Sequence, residues 1–395
     1  MKICVLTTSF PRFEDDEASI FVKRLVCAFS DVGLGGFVIV PFDRNEKPRE
    51  ALGNFEIIRY RYGILRRGSL AFGAGIIPNL RSNPWLIMQA PALLAGLFYQ
   101  AIKLRRKYQL IHANWLIGAL PAFFVSVLTG KPYVITMRGE DLRLIKIRAL
   151  RLLLAPIVKR ASRIVSVNKS FLKDLNELYQ LDQEKLMFIP NGVSITLPTI
   201  RELESYAKVH GYDTSKKYLL SIGTLVPRKR AHLLIKLLAE PAMAEFSLIL
   251  CGRTNDSSYL DELNKLMHKL GVAERVILTG EVKPSEVPCL MALSRYYLSA
   301  SEFEGRSNAT LEAMAAGKVV ILSDIESHRE FIKHGENGYL FDSEDLNSVA
   351  KIISILEDNS GKRNLIEENA RRFANNFSWE KCAAGYKLLF DNLLD

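Results

Sequence analysis

Short runs of apolar and often β-branched residues recur along the whole chain, separated by longer stretches with apolar residues every three or four positions. A short continuous apolar run is typical of a strand buried on both faces of a parallel sheet. In the first half of the chain, the predicted strands are Lys2–Thr7, Phe37–Val40, Phe55–Tyr60, Leu110–His112, Pro132–Met137, Ile164–Val167 and Met187–Ile189. In the second half they are Tyr218–Ile222, Phe246–Leu250, Arg275–Leu278, Tyr296–Ala300, Lys318–Ser323 and Gly338–Phe341. Strands that alternate with helices predict an α/β fold.

The stretches between the predicted strands have helical spacing, beginning with Ser19–Ser30. The order strand, loop, helix, strand predicts a Rossmann-like domain at the start of the chain. No G-x-G-x-x-G sequence follows the first strand, which argues against a dinucleotide cofactor. The uncharged stretch Pro84–Ile102 contains polar residues and a proline. We therefore interpret it as a long helix, mostly buried or lying on the surface, rather than as a membrane span.

The length and net charge of the chain indicate how many domains it has and which classes of partner it could bind. With 395 residues, the chain is too long for one ordinary core and suits two domains. A net charge of +10 favours a polyanionic partner, such as nucleic acid, an anionic membrane or a phosphorylated substrate. The five cysteines lack C-x-x-C spacing and the N-terminus does not resemble a signal peptide, so we expect a cytoplasmic protein with reduced thiols.

The clearest candidate chemistry lies in Ser301–Val320. The segment Thr310–Ala316 consists of strong helix formers, and Gly317 is a natural stop for that helix. Ser307 or Asn308 can act as its N-cap. The first turn of such a helix presents amide groups and a positive dipole end, which attract phosphate.

Two acids flank this predicted helix start. Glu304 lies in the loop before the helix, and Glu312 lies about one turn into it, within reach of a ribose on the same ligand. The pattern indicates a diphosphate site with an acid on either side. A capped surface helix with scattered charges is the alternative. The residues whose amides would bind phosphate are Asn308, Ala309 and Thr310.

This stretch resembles the signature of the family 4 glycosyltransferases, retaining enzymes of the GT-B fold that carry a Glu-x7-Glu motif. The matching residues are Glu304, Gly305, Asn308, Leu311, Glu312, Ala313, Met314 and Gly317. Three other segments are also similar to that family: Ile111–Leu142, PNGV at residues 190–193 and FSWE at residues 377–380. The resemblance therefore extends over nearly the whole chain.

The resemblance implies two Rossmann-like domains that face a central cleft. The acceptor domain would comprise residues 1–195 together with a C-terminal helix at 379–395. The nucleotide-sugar donor domain would comprise residues 196–378. An irregular linker, or one with short helices, is expected at Ser194–Lys217.

The resemblance also implies roles for single residues. Gly223, Arg228 and Lys229 would meet the donor phosphates, Glu312 the ribose and Glu304 the sugar hydroxyl groups. Fixed cations are needed there because a sugar that leaves a nucleotide puts negative charge on the diphosphate.

The chain departs from the family pattern at three places. Arg138 stands where relatives have a histidine near the reacting sugar; arginine cannot act as a general base but can hold an anion. Nearby His112 is a second catalytic candidate, although a core histidine at a strand end is equally consistent with its position. Thr224 replaces a common arginine, and residues 17–19 replace a pair of glycines.

The expected activity is that of a retaining hexosyl- or N-acetylhexosaminyl-transferase in cell-surface polysaccharide or glycoconjugate synthesis. The donor would be linked to UDP or GDP, the acceptor would be a saccharide or a lipid-linked saccharide, and no metal or other cofactor is expected. The alternatives are a sugar-nucleotide 2-epimerase and a non-catalytic binder of nucleotide-sugar or nucleic acid. The arginines at 59, 61, 66 and 67 stand among tyrosines, a pattern that either a basic surface loop or nucleic-acid binding would explain. The basic clusters Arg105–Lys107 and Lys146–Arg163 make an anionic membrane surface a further candidate partner.

Overall fold

The computed structural model describes residues 1–395 apart from 14, 17, 43–46, 63–67, 72–74 and 255, and apart from the side chains of 77, 78, 81, 140, 142 and 143. Contacts divide the chain into two compact units. Unit 1 comprises residues 1–192 and 379–395, and unit 2 comprises residues 193–378. Each unit contains a largely parallel sheet with helices, which confirms the α/β prediction.

The sheet of unit 1 contains every strand that the apolar runs of the first half predict. Its strands are β1 (Lys2–Leu6), β2 (Gly35–Pro41), β3 (Arg49–Leu52), β4 (Phe55–Tyr60), β5 (Leu110–Asn114), β6 (Tyr133–Met137), β7 (Arg163–Ser166) and β8 (Leu186–Phe188). Within the described residues their order is β3-β4-β2-β1-β5-β6-β7-β8, and only the β3–β4 pair is antiparallel. The apolar pattern misses β3, because this edge strand is largely exposed and carries charged residues.

The helices of unit 1 include the last helix of the chain. They are α1 (Ile20–Asp31), α2 (Ile76–Ser82), α3 (Ala90–Lys103), α4 (Trp115–Thr129), α5 (Glu140–Lys146), α6 (Arg148–Arg160), α7 (Lys169–Tyr179) and α16 (Trp379–Asp391). Helix α16 packs against α1, and the rings of Tyr386 and Phe390 meet the ring of Phe29 at centroid distances of 5.5 and 5.9 Å. The C-terminal residues are therefore part of the core of unit 1.

The residues of the candidate site follow strands of the unit 2 sheet. Its strands are β9 (Lys217–Ile222), β10 (Phe246–Cys251), β11 (Val276–Gly280), β12 (Ser294–Ser299), β13 (Val319–Ser323) and β14 (Tyr339–Phe341). In the described part of unit 2 they pair in parallel in the order β11-β10-β9-β12-β13-β14. Successive residues such as Leu219 and Leu220 point into separate cores on the two faces, as the period of a strand requires.

The helices of unit 2 are α8 (Ile200–His210), α9 (Ala231–Leu238), α10 (Ser257–Lys269), α11 (Val287–Leu293), α12 (Asn308–Ala315), α13 (Glu326–Arg329), α14 (Leu346–Asp358) and α15 (Ser360–Ala374). Helix α8 lies within Ser194–Lys217, where either an irregular linker or one with short helices was expected, so the helical alternative is observed. It has 11 residues and starts with a capping box, in which Thr199 and Glu202 each accept a hydrogen bond from the other's backbone amide. The sequence T-x-x-E was the available signal for it.

The stretch that begins at Pro84 lies on the surface of unit 1. A 3-10 helix at Pro84–Gln89 continues into α3, and together they are long and apolar enough to cross a membrane. Trp85 and Met88 are 78% and 70% exposed, so of the two alternatives given for this helix the structure shows the one that lies on the surface. The inner face of α3 does pack into the unit, because the Tyr60 hydroxyl donates to the Leu93 carbonyl at 2.6 Å.

The structure also shows where side chains of the basic segments lie. Leu152 and Leu153 on α6 are largely exposed, so the leucines of this basic helix do not all face the core. Arg59 is buried in β4 and pairs with Glu50 at 2.8 Å, so it does not belong to a basic surface loop. Glu17, Arg66 and Arg67, which entered the predictions above, lie outside the described residues.

Candidate functional site

Two neighbouring strands of unit 2 end in glycine at the carboxyl edge of the sheet. Gly223 follows β9 and Gly252 follows β10, and the Gly223 amide donates to the Cys251 carbonyl at 2.8 Å. A Cβ on Gly252 would lie 2.1 Å from the Gly223 carbonyl oxygen, and φ is +153° at Gly223 and +145° at Gly252. Only glycine suits these positions, and the resulting side-chain-free corner lies where parallel sheets bind ligands.

Lys229 lies over Gly223. Its Nζ atom is 3.3 Å from the position that a Cβ on Gly223 would occupy. Lys229 ends a 3-10 turn, and Arg230, with φ +50°, then leads the chain into α9. The ammonium group forms an ion pair and a hydrogen bond with the carboxylate of Glu304. The fold thus brings together three residues that the sequence singled out separately.

Arg228 ties the Lys229 turn to the loop that carries Glu304. Its guanidinium donates to the Phe303 carbonyl at 3.3 Å, and its own carbonyl accepts from the Glu302 amide at 2.9 Å. The structure therefore places Arg228 beside the predicted phosphate site and shows it supporting the loop.

Glu304 is a buried acid that stays ionised. Its carboxylate is 8% exposed and accepts a hydrogen bond from Ser301 Oγ at 2.7 Å, in addition to the bond from Lys229. Burial alone would raise the pKa of Glu304, but Lys229 and Ser301 outweigh it and hold the pKa below its usual value. A buried carboxylate of this kind can accept hydrogen bonds from hydroxyl groups.

Helix α12 begins next to this pair, and Ser307 is its N-cap. The Ser307 hydroxyl accepts from both the amide and the hydroxyl of Thr310, at 3.3 and 2.8 Å. This corrects one prediction, because the Thr310 amide is already hydrogen-bonded and is not available to a phosphate. Asn308 and Ala309 are half-buried in the first turn, and Glu312 is half-buried one turn further on. Asn308 and Ala309 thus lie in the first turn of the helix and Glu312 one turn later, as the sequence predicts.

A second group of polar side chains lies at the carboxyl edge of the unit 1 sheet. Arg138 follows β6, and its guanidinium donates to Asn191 Oδ1 at 2.5 Å and to Asn114 Oδ1 at 3.0 Å. The guanidinium also lies over the ring of Phe21 at 4.7 Å. Burial lowers the pKa of Arg138, although an arginine still keeps its charge in a protein.

His112 lies in the core of unit 1, which contradicts its prediction as a catalytic residue. The ring is 0% exposed and packs against Phe29, Tyr386 and Phe390. Its Nε2 atom shares a hydrogen bond of 2.8 Å with the Thr136 hydroxyl. Burial, together with nearby Arg138, lowers the pKa of His112 to about 3, so the enclosed ring is neutral at physiological pH.

Sequence reasoning missed three residues that shape these two groups. Gly252 directly follows a strand, as Gly223 does, and this position after a strand could have identified it from the sequence. Ser301 and Asn191 lie in segments that the sequence analysis singled out, 301–320 and 190–193, but their contacts with Glu304 and Arg138 are fixed only by the fold. Among the described residues, no group of three or more His, Cys, Asp or Glu side chains could hold a metal ion.

Comparisons with known protein families agree with both halves of the chain. The model described as "Glycosyl transferases group 1" matches residues 204–373, and the model described as "Glycosyltransferase Family 4" matches residues 19–197. Together the two matches cover most of units 1 and 2.

Individual relatives are distant but match over long stretches. N-acetyl-alpha-D-glucosaminyl L-malate synthase of Bacillus anthracis is 25% identical over 296 residues, which cover 73% of this chain and 76% of that protein. D-inositol 3-phosphate glycosyltransferase of Salinispora arenicola is 24% identical over 326 residues, which cover 75% of this chain and 72% of that protein. The solved structure of Anabaena HepE in complex with UDP and glucose has a TM-score of 0.76 at 20% identity, covering 99% of this chain and 100% of that one. This last likeness concerns the fold, which is GT-B.

Proposed function

Since the chain belongs to the group 1, family 4 glycosyltransferases, we propose that it transfers a sugar from a nucleotide-sugar to a saccharide or lipid-linked acceptor with retention of configuration. Unit 2 would bind the donor and unit 1 the acceptor. The observation that carries the proposal is the Lys229–Glu304 ion pair over Gly223, beside the first turn of α12. It combines a cation, side-chain-free backbone and a helix N-terminus, which are the components of a diphosphate site.

Each residue of unit 2 then has a distinct role. Lys229 stabilises the charge that develops on the leaving diphosphate, and Asn308 and Ala309 meet the same phosphates through the helix N-terminus. Glu312 accepts hydrogen bonds from the ribose. Glu304 accepts hydrogen bonds from hydroxyl groups of the sugar and steadies Lys229. The proposal needs no metal ion, because fixed cations and amides take the place of one at the diphosphate.

A panel of nucleotide-sugars tests this proposal directly. UDP- and GDP-linked hexoses and N-acetylhexosamines should be added to the purified chain, and its melting temperature measured. A true donor at a hundred times its Kd adds about 2.7 kcal/mol to the free energy of unfolding. Stabilisation by one base and sugar is the expected result, and no stabilisation by any donor would contradict the proposal. Conversion of the donor without an acceptor would instead indicate an epimerase.

The family leaves the acceptor of this chain open. The names of the two relatives described above specify different acceptors, L-malate and D-inositol 3-phosphate. The acceptor must therefore be sought in the residues of unit 1 itself.

We further propose that unit 1 binds the anionic surface of a membrane from the cytoplasmic side. Three neighbouring helices support this, because α3 packs against α4 and α4 against α6. Large apolar side chains on them, or on the segments that lead into them, are exposed to solvent: Trp85, Ile87, Met88, Tyr99, Phe124, Val127, Leu128, Ile147, Leu152 and Leu153. Exposed basic residues lie at the end of α3, at position 103, and directly after it, at 105–107. Apolar side chains beside basic ones are typical of proteins that lie on anionic lipid.

Sedimentation with vesicles tests the membrane proposal. The wild type should sediment with vesicles containing phosphatidylglycerol at low salt, and the double variant Trp85→Ser/Met88→Ser should bind them at least tenfold more weakly. Leu388→Ser provides the control, since Leu388 is a comparably exposed apolar residue on α16. Failure of the wild type to sediment, or equal binding by the double variant, would contradict this proposal.

A further inference from the structure

Arg138 lies one strand away from the point where the strand order of the unit 1 sheet reverses. The chain passes from β1 to β2 on one side of β1 and later reaches β5 on its other side, so this point lies between β1 and β5. Asn114 ends β5, and Arg138 directly follows β6 at the same edge. In open parallel sheets, ligands bind outside the carboxyl ends of the strands at such a switch point.

The charge of Arg138 has no carboxylate partner at ion-pair distance among the residues that the structure describes. The acid that follows it closely, Asp141, uses its two oxygens for backbone amides, accepting from Leu116 at 2.8 Å and from Arg138 at 3.0 Å. The guanidinium instead contacts two neutral amide oxygens and one aromatic ring. Enclosed arginines are usually paired with an acid, because desolvating an unpaired charge is costly.

Two buried donors beside this charge are also without acceptors in the described part of the chain. They are Nε of Arg138 and Nδ2 of Asn114. Asn114 is 0% exposed, and its oxygen is already bonded to the Arg138 guanidinium. A buried donor that makes no hydrogen bond destabilises the folded state. One positive charge and two unused donors together suit a group that accepts hydrogen bonds and is negatively charged.

We propose that Arg138, supported by Asn114, binds a carboxylate or phosphate group of the acceptor that unit 1 receives. This inference rests on the proposed glycosyltransferase function and specifies its acceptor as an anion. Arginine suits such a group because its planar fork matches both carboxylate and phosphate oxygens. Asn191 holds the other end of the guanidinium and fixes its orientation.

Binding of simple anions to the full chain tests this site. Malonate and inorganic phosphate should be titrated by calorimetry at constant ionic strength into the wild type, Arg138→Gln and the control Lys236→Met, which changes an exposed lysine of α9. We expect Arg138→Gln to weaken the binding of at least one of the two anions tenfold or more, and Lys236→Met to retain that binding. A preference for malonate identifies a carboxylate acceptor, and a preference for phosphate identifies a phosphorylated one. Equal affinities in the wild type and Arg138→Gln would overturn the proposal.

A second variant, Asn114→Asp, keeps the test decisive if Arg138→Gln fails to fold. It supplies an internal carboxylate beside the guanidinium and removes the unused Nδ2 donor. We expect the melting temperature to rise and anion binding to disappear, whereas a lower melting temperature with unchanged anion binding would overturn the proposal. The affinity for UDP distinguishes a donor site from an acceptor site at Arg138. If Arg138→Gln weakens the binding of UDP as strongly as it weakens the binding of the anions, the anion site belongs to the donor and the acceptor assignment is wrong. Donor binding that persists in Arg138→Gln leaves the proposed function standing whatever the anion result.

Discussion

Replacing Lys229 by methionine is expected to lower kcat/KM for the nucleotide-sugar by at least a hundredfold. Methionine keeps the length of the side chain but removes the charge that would stabilise the leaving diphosphate. Mutations of single groups that stabilise transition-state charge typically have effects of this size. The affinity for UDP should fall as well, because the product carries the same diphosphate. Steady-state kinetics and calorimetry with UDP check the two parts of this prediction.

The matched control is Lys236→Met, which makes the same change at an exposed position of α9. It should leave both kinetics and UDP affinity unchanged. Lys229→Met should also lower the melting temperature, because it leaves the buried carboxylate of Glu304 without its cation. Adding Glu304→Gln to Lys229→Met should recover part of that loss. Turnover close to the wild type in Lys229→Met would show that the diphosphate binds elsewhere.

Glu304→Gln should separate binding from turnover. In the ligand-free chain Glu304 holds the cation that the diphosphate needs, and its own charge repels that diphosphate. Removing this charge should tighten the binding of UDP by roughly two- to tenfold, since a factor of ten corresponds to 1.4 kcal/mol. Turnover should nevertheless fall a hundredfold or more, because the sugar loses its acceptor of hydrogen bonds. Titration with UDP and initial-rate kinetics measure the two effects separately.

Glu302→Gln is the control for Glu304→Gln, since Glu302 lies two positions away, is exposed and faces Arg230. It should change neither UDP affinity nor turnover. Weaker UDP binding by Glu304→Gln would contradict the idea that the Glu304 carboxylate and the diphosphate compete for Lys229.

The pH dependence of stability provides an independent check on the charge of Glu304. The folded-state pKa of Glu304 lies below its ordinary value of about 4.3. Its contribution to stability is therefore present above that pH and is lost as the pH falls through the folded-state pKa, so the stabilities of the wild type and Glu304→Gln should converge in acid.

The predictions that succeeded rest on local physical chemistry. Buried parallel strands need continuous apolar runs, so all the runs predicted as strands appear in the two sheets. Helix α12 starts at a serine cap and ends before Gly317 because capping and helix propensity depend on neighbouring residues. Lys229 and Glu304 were singled out from their spacing within two separate motifs. Their contact is a property of the fold, in which the ends of β9 and β12 are neighbours.

The predictions that failed, or that left alternatives open, depend on what lies across the fold from a residue. His112 ends up sealed because Tyr386 and Phe390, far along the chain, return to cover it. The apolar stretch at Pro84 predicts a helix, but whether that helix is buried or lies on the surface depends on which neighbours pack against it. The Thr310 amide lies in the first turn of the helix, where a phosphate could bind. In the structure it instead donates a hydrogen bond to the Ser307 hydroxyl, which the sequence pattern did not indicate.

The return of the chain from unit 2 to unit 1 has a consequence for its synthesis. Unit 2 is contained within one continuous stretch, whereas unit 1 needs residues from both ends of the chain. A ribosome therefore delivers all of unit 2 before it delivers Trp379, Tyr386 and Phe390, which fill the core around Phe29. The nascent first half therefore has an open apolar groove until α16 has been synthesised, and such exposed apolar surface is what chaperones bind.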